Sequence, residues 1–116
     1  IFCGKLLEGE RPTIFGDGKQ TRDYVFVGDV VQANLAAAGS QAGGPFNVGT
    51  GAPSSVLDIV AALARHEPGF EADHAPARPG EVQHIFLDCA RAQAELGWRA
   101  EVGLEDGLER TLASLR

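Results

Sequence analysis

Methionine is absent from this 116-residue chain, and the first residue is Ile1. Together they predict a piece of something longer. Cysteine is scarce: Cys3 and Cys89 lie far apart, neither in a CxxC pair nor beside a histidine at ligand spacing. That spacing argues against a zinc site, so no metal is expected. It predicts two reduced, partly buried thiols in a cytoplasmic protein. No apolar run reaches the length of a membrane span. No basic start precedes an apolar stretch, so no secretory signal is visible. Positive charge is also short, with 10 Lys and Arg against 16 Asp and Glu, a net charge of −6. A protein that neutralises nucleic-acid phosphates needs the opposite balance. Any phosphate bound here should be held by one or two placed arginines rather than by a positive field.

What is present is ordinary for one small globular domain: 44% hydrophobic and 22% charged residues. Residues 1 to 8 read as the end of a helix that stops at Gly9. Thr13 to Phe15 and Tyr24 to Val27 read as short strands, and the "GDGKQT" between them as a hairpin-like reversal. Asp29 is placed to cap a helix that runs to Gly39. "PFNVG", Pro45 to Gly49, reads as a strand. Ser55 and Asp58 fit a capping box, followed by Val56, Ile59, Val60 and Leu63 on one helical face. Phe70 to Pro76 reads as an edge strand. Asp88 is placed to cap a helix carrying Cys89, Ala92 and Leu96 that stops at Gly97. A last helix puts Leu104, Leu108, Thr111, Leu112 and Leu115 on one face. "YVFV" and "FNV" are apolar on both faces, as in strands of a covered parallel sheet. Two such strands cannot cover themselves, so they are expected to dock on a larger sheet outside this chain.

Two arginines could carry chemistry. Arg22 opens the run R-D-Y-V-F-V, where a rigid backbone would hold a planar fork of donors suited to phosphate. The alternative is a surface pair with Asp23 or Asp29. Arg78 sits in "ARPGE", where Pro79 and Gly80 set a tight turn bringing it near Glu81. Such a pair could meet a phosphate and ribose hydroxyls, or form only a weak surface ion pair. "NVGTG", Asn47 to Gly51, follows a strand and precedes a helix, but its spacing fits neither G-x-G-x-x-G nor a P-loop. It reads as a turn in which Asn47 can anchor backbone or ligand. His66, His74 and His84 are scattered and lack a nucleophile partner.

Five stretches in register change the weighting: "TIFGDGKQTRDYVFVGDVVQANLAA", "PFNVGTG", "ARPGEVQ", "LDCARAQAELGW" and "LEDGLERTL". Together they resemble the NAD-dependent epimerase/dehydratase family, the extended short-chain dehydrogenases acting on nucleotide sugars, in the style of UDP-glucose 4-epimerases. The resemblance spans nearly the whole chain. It implies an α/β fold: the C-terminal part of a Rossmann-type enzyme, a small mixed α/β substrate-binding region with segments that normally join the Rossmann sheet. NAD would be bound by an N-terminal half with a glycine fingerprint, a catalytic Ser/Thr and a Tyr-x-x-x-Lys pair. Neither the fingerprint nor the pair is here: Tyr24 is the only tyrosine, and Gly28 stands four residues on. No catalytic residue is therefore expected in this chain. By position, Arg22 and Arg78 resemble the family's two diphosphate-binding arginines. Glu81 replaces the usual aspartate that meets ribose hydroxyls. Pro12, Ile14 and Phe15 match the segment lining the base, and Asn47 a position near the phosphates in some members. The implied partner is a UDP- or dTDP-hexose, in an enzyme that forms homodimers. The implied reaction is sugar epimerisation by hydride removal and return. A dTDP-sugar 4,6-dehydratase, a related reductase and a non-catalytic nucleotide-binding module are the alternatives.

Overall fold

A computed structural model describes residues 1–116. Five helices and four very short strands alternate along the chain: α1 (Phe2–Glu8), β1 (Thr13–Phe15), β2 (Thr21–Arg22), α2 (Val27–Ala38), β3 (Ser54–Ser55), α3 (Val56–Ala64), β4 (Asp73–Ala75), α4 (Ala90–Leu96) and α5 (Leu104–Leu115). The expected mixed α/β fold is therefore present, with most of its regular structure in helices. No helix is long and apolar enough to cross a membrane.

Helix ends follow local chemistry. Gly9 closes α1 at φ 70°, and Gly97 closes α4 at φ 63°, in the left-handed region where a side chain would clash. Ser55 caps α3 in a full capping box: its hydroxyl accepts from Asp58 N at 3.0 Å, and Asp58 Oδ2 accepts from Ser55 N at 2.8 Å.

Five local expectations are corrected. Tyr24 to Phe26 forms no strand. Its backbone has no neighbouring strand, and Phe26 in extended geometry becomes the N-cap of α2. Asp29 consequently lies inside the first turn, where negative charge is favourable. Its buried carboxylate turns away from the cap and accepts from Glu101 N at 3.2 Å and Val102 N at 3.0 Å. "PFNVG" likewise lacks a strand partner. "GDGKQT" is not a hairpin, because β1 and β2 go to different sheets: β1 pairs in parallel with β4, whereas β2 pairs antiparallel with β3. Cys89 rather than Asp88 takes the N-cap of α4, although Asp88 Oδ1 accepts from Ala90 N at 2.9 Å.

Two cores result. Cys3 and Leu6 of α1, Ile59 and Leu63 of α3, Phe70 and Leu112 of α5 form the first. The spacing of Ile59 and Leu63 delivers both to one side of α3, as the sequence periodicity requires. Ala33 of α2, Ala92 of α4 and Trp98 form the second. Trp98 enters it without leaving its indole unsatisfied, since Nε1 donates to Asp29 O at 2.9 Å. The chain is a slab of 48 × 35 × 16 Å. Its thinness leaves large apolar side chains in solvent, among them Val27, Val31 and Leu35 at successive turns of α2.

Candidate functional site

β2 is only two residues long, yet it is framed on both sides. On one side Thr21 faces Ser55 and Arg22 faces Ser54. On the other, Thr21 N donates to Gln83 O at 2.7 Å and Ile85 N to Thr21 O at 3.1 Å. The strand therefore places Arg22 beside the 78–85 segment. Arg22 Nη1 donates to Thr21 O at 2.7 Å, and Nη2 lies 3.4 Å from Glu81 Oε1. The side chains of Arg22 and Glu81 are 30% and 25% exposed, so the pair is sheltered but open to a competing anion. The alternative pairing of Arg22 with Asp23 or Asp29 does not form; its carboxylate partner is Glu81.

β1 supplies the opposite wall. Pro12 and Ile14 are buried, while the Phe15 ring carries the Arg78 guanidinium 3.7 Å from its centroid. That is close cation–π stacking. Behind it the buried Gln20 donates from Nε2 to Phe15 O at 3.1 Å, fixing the end of β1. Gly18, at φ 78°, makes the return possible: a Cβ there would lie 2.8 Å from the Leu57 side chain.

These parts border one cleft of about 460 Å³, lined by Pro12, Ile14, Phe15, Arg78 and Glu81 together with Lys5 and Arg11 among others. That volume falls in the range of small-molecule sites. A smaller and more apolar-walled depression, about 340 Å³, runs between Tyr24–Val27 and α5 but carries no charged group. Chemistry therefore singles out the first. Within a chain of net charge −6, three cations line it against one carboxylate. Lys5 is paired with Glu10, and Arg11 with Glu71 and Asp73. Arg78 has no carboxylate within salt-bridge distance and is exposed. The cleft thus sets cationic side chains beside a flat, apolar wall.

Of the seven residues singled out in sequence, five line this cleft and Arg22 reaches it through Glu81. Asn47 does not: its side chain donates to Asp88 O at 3.1 Å and ties its loop to the start of α4. Lys5, Arg11 and Gln20 were not legible as site residues. No motif surrounds them, and only the folding of α1 and β1 onto the 78–81 turn assembles them.

Asp23 has a different task. Its Oδ1 accepts from Thr50 N at 2.7 Å and the Thr50 hydroxyl at 2.6 Å; its Oδ2 accepts from Gly51 N at 2.9 Å and Leu87 N at 3.2 Å. Burial pushes this carboxyl up, but the hydrogen bonds outweigh burial and hold it below the ordinary 3.8. The stabilisation from Asp23 should be complete above that ordinary value and disappear as pH falls through the lower folded-state value. Acid titration followed by circular dichroism should show an Asp23→Asn variant less stable than the parent near neutrality, with the gap closing at the acid end.

The glycine-rich stretch at 47–51 is bonded within the chain. The amides of Thr50 and Gly51 in its glycine-rich loop already donate to Asp23. Burial raises the Tyr24 phenol, against the pull of Arg22, which is the wrong direction for a proton-transfer group at neutral pH. No cluster of three metal-ligating side chains occurs.

The chain is a slab of mixed α/β structure with a cationic, aromatic-walled cleft. The family model described as GDP-mannose 4,6 dehydratase matches residues 2–111, and the chain belongs to this NAD-dependent epimerase/dehydratase family. A putative UDP-glucose 4-epimerase of Methanocaldococcus jannaschii is 44% identical over 114 residues, covering 97% of this chain and 36% of that protein. The UDP-glucose 4-epimerase of Thermotoga maritima, solved with UDP-glucose, superposes at a TM-score of 0.92 with 40% identity, over 99% of this chain and 38% of that one. The UDP-glucuronic acid 4-epimerase of Bacillus cereus, solved with UDP-glucuronic acid and NAD, superposes at 0.87 with 30% identity, over 99% and 39%. The fold is that of the C-terminal part of extended short-chain dehydrogenases, and NAD is the cofactor found in that family. The chain spans well under half the length of these relatives.

Proposed function

We propose that this chain is the substrate-binding part of an NAD-dependent nucleotide-sugar epimerase, and that its cleft holds the nucleotide diphosphate of a UDP-sugar. The observation that carries the reading is the cleft itself: a chain of net charge −6 gathers Lys5, Arg11 and Arg78 around it, with Arg78 free of any carboxylate. Arg78 and Arg22 would hold the diphosphate. Glu81 would leave Arg22 and meet the ribose hydroxyls. Pro12, Ile14 and Phe15 would line the base. Asn47 serves its loop and acts on the ligand only indirectly. The residues here bind and orient; they transfer neither hydride nor proton. Holding the diphosphate fixes the sugar and so raises its effective concentration at the reacting centre.

The NAD-binding and catalytic groups belong, on this reading, to a further part of the same protein. That part would cover Val27, Val31 and Leu35 of α2, which are 69%, 48% and 61% exposed in this chain. Burying three such side chains is worth several kcal/mol, at about 1.5–3 kcal/mol each. The similarity to UDP-glucose epimerases favours epimerisation over 4,6-dehydration.

Arg22→Ala and Arg78→Ala in the full-length protein test the site. A hydrogen bond to a charged group contributes about 1.5–3 kcal/mol. Each variant should therefore weaken UDP binding by about 10- to 150-fold in calorimetry. Unchanged UDP affinity in both removes the assignment.

A further inference from the structure

The glycine-rich loop at 47–51 does bind an anion, but the anion is part of the chain. We infer that Asp23 is a positioning residue for nucleotide binding: it clamps the loops on both sides of β2 and so fixes where Arg22 points. The inference rests on the cleft being the diphosphate site.

The geometry is specific to that task. Arg22 and Asp23 are neighbours with separate partners: Arg22 meets Glu81, and Asp23 meets Thr50, Gly51 and Leu87. Arg22 goes to the cleft and Asp23 to the loops behind it. One carboxylate oxygen takes both Thr50 donors, and the other takes Gly51 N and Leu87 N. Thr50 and Gly51 lie a few residues before β3, which pairs with Arg22. Leu87 lies just beyond Ile85, whose N donates to Thr21 O. The carboxylate thus extends a two-residue strand by four hydrogen bonds, three to the 50–51 loop on one flank and one to Leu87 on the other. β2 has too few backbone bonds of its own to hold a guanidinium rigidly, and the side chain of Asp23 supplies the missing ones.

The packing supports a fixed clamp. A Cβ at Gly49 would lie 2.7 Å from Asp23 Oδ2 and 3.0 Å from the Leu87 side chain. Only glycine lets the loop close this tightly on the carboxylate. Cys89 Sγ donates to Gly49 O at 3.4 Å and holds the same peptide from the far side. The Thr50 hydroxyl, besides donating to Asp23, accepts from Ala52 N at 3.1 Å, which fixes its direction.

The test is a cycle in the full-length protein with UDP as the probe: the parent, Asp23→Asn, Arg22→Ala and the double variant, each measured by calorimetry and by thermal unfolding. Asn keeps an acceptor for one loop and turns donor hydrogens toward the other, so one arm of the clamp is lost. Asp23→Asn is expected to weaken UDP binding about tenfold, since donors left unsatisfied and displaced carry that order of effect. In the Arg22→Ala background the same change should cost twofold or less, because Asp23 acts through Arg22. Its effect on unfolding temperature should be equal in both backgrounds. A tenfold loss of affinity that persists without Arg22 marks Asp23 as a merely structural residue and overturns the inference. So does unchanged affinity in Asp23→Asn. If Asp23→Asn does not fold, Thr50→Val removes only the 2.6 Å hydroxyl bond. It should weaken UDP by a few-fold with Arg22 present and not at all without it, and no change with Arg22 present overturns the inference. Should Arg22→Ala and Arg78→Ala both bind UDP normally, the diphosphate site itself is wrong; a normal Asp23→Asn beside a weakened Arg22→Ala defeats the clamp alone.

Discussion

Leu63→Ala is expected to destabilise the folded protein by about 2–5 kcal/mol, the cost of the lost side chain plus the cavity it leaves. Leu63 is 0% exposed, with Ile59, Cys3, Leu6 and Leu112 in the same cluster. It sits where three helices meet: α3 carries it, α1 brings Cys3 and Leu6, and α5 brings Leu112. None of these helices is long enough to stand without the others, α1 having seven residues and α3 nine. The site depends on that junction. α1 carries Lys5, and α3 starts at the Ser54–Ser55 strand that pairs with Arg22. Urea unfolding of the full-length protein should show a midpoint shifted to lower urea with an unchanged slope, as expected for lost stability without a change in exposed area. A loss below about 1 kcal/mol would mean that the neighbouring side chains collapse into the space.

The helices were legible because each carries its own signals. Gly9 and Gly97 stop α1 and α4, the Ser55–Asp58 box starts α3, and a 3.6-residue apolar period runs through α3 and α5. The strands were not. "YVFV" has strand-like residues, but a strand exists only when a partner offers hydrogen bonds, and no other segment of this chain does so. The true strand begins earlier, at Thr21–Arg22, where 54–55 and 84 supply partners from far along the sequence. Likewise the "GDG" reversal looks local, yet β1 takes its partner from Asp73–Ala75. For the cleft, Arg22, Arg78 and Glu81 could be picked out once five motifs were seen in register. Lys5 and Arg11 could not, because their presence depends on how α1 and β1 fold over the turn at 78–81. The charged pair Arg22–Asp23 was the least transparent. Adjacent in sequence, the two side chains act on opposite sides of the strand, one on the ligand side and one on the loops behind it.

The 116 residues expressed alone should turn over no UDP-galactose and bind NAD negligibly, even if they retain some affinity for UDP. Hydride transfer needs the dinucleotide held against the sugar and a group that moves the hydroxyl proton. The only tyrosine is Tyr24, with Gly28 where a partner lysine would stand, and burial has raised its phenol. The one loop with glycine-rich character has its amides occupied by Asp23. What this chain does supply, an ordered pair of arginines beside an aromatic wall, would act by positioning on the proposed reading. Positioning multiplies the rate of a chemical step and cannot replace the step. A coupled assay for UDP-glucose formation, run with added NAD, should therefore read the no-enzyme rate, and NAD titration should leave the fluorescence of Trp98 unchanged. Turnover above that rate would place the proton-transfer group within these residues and require a catalyst other than tyrosine. On the proposed reading, adding the remainder of the protein in trans should restore turnover only to the extent that it covers the exposed Val27–Val31–Leu35 face of α2.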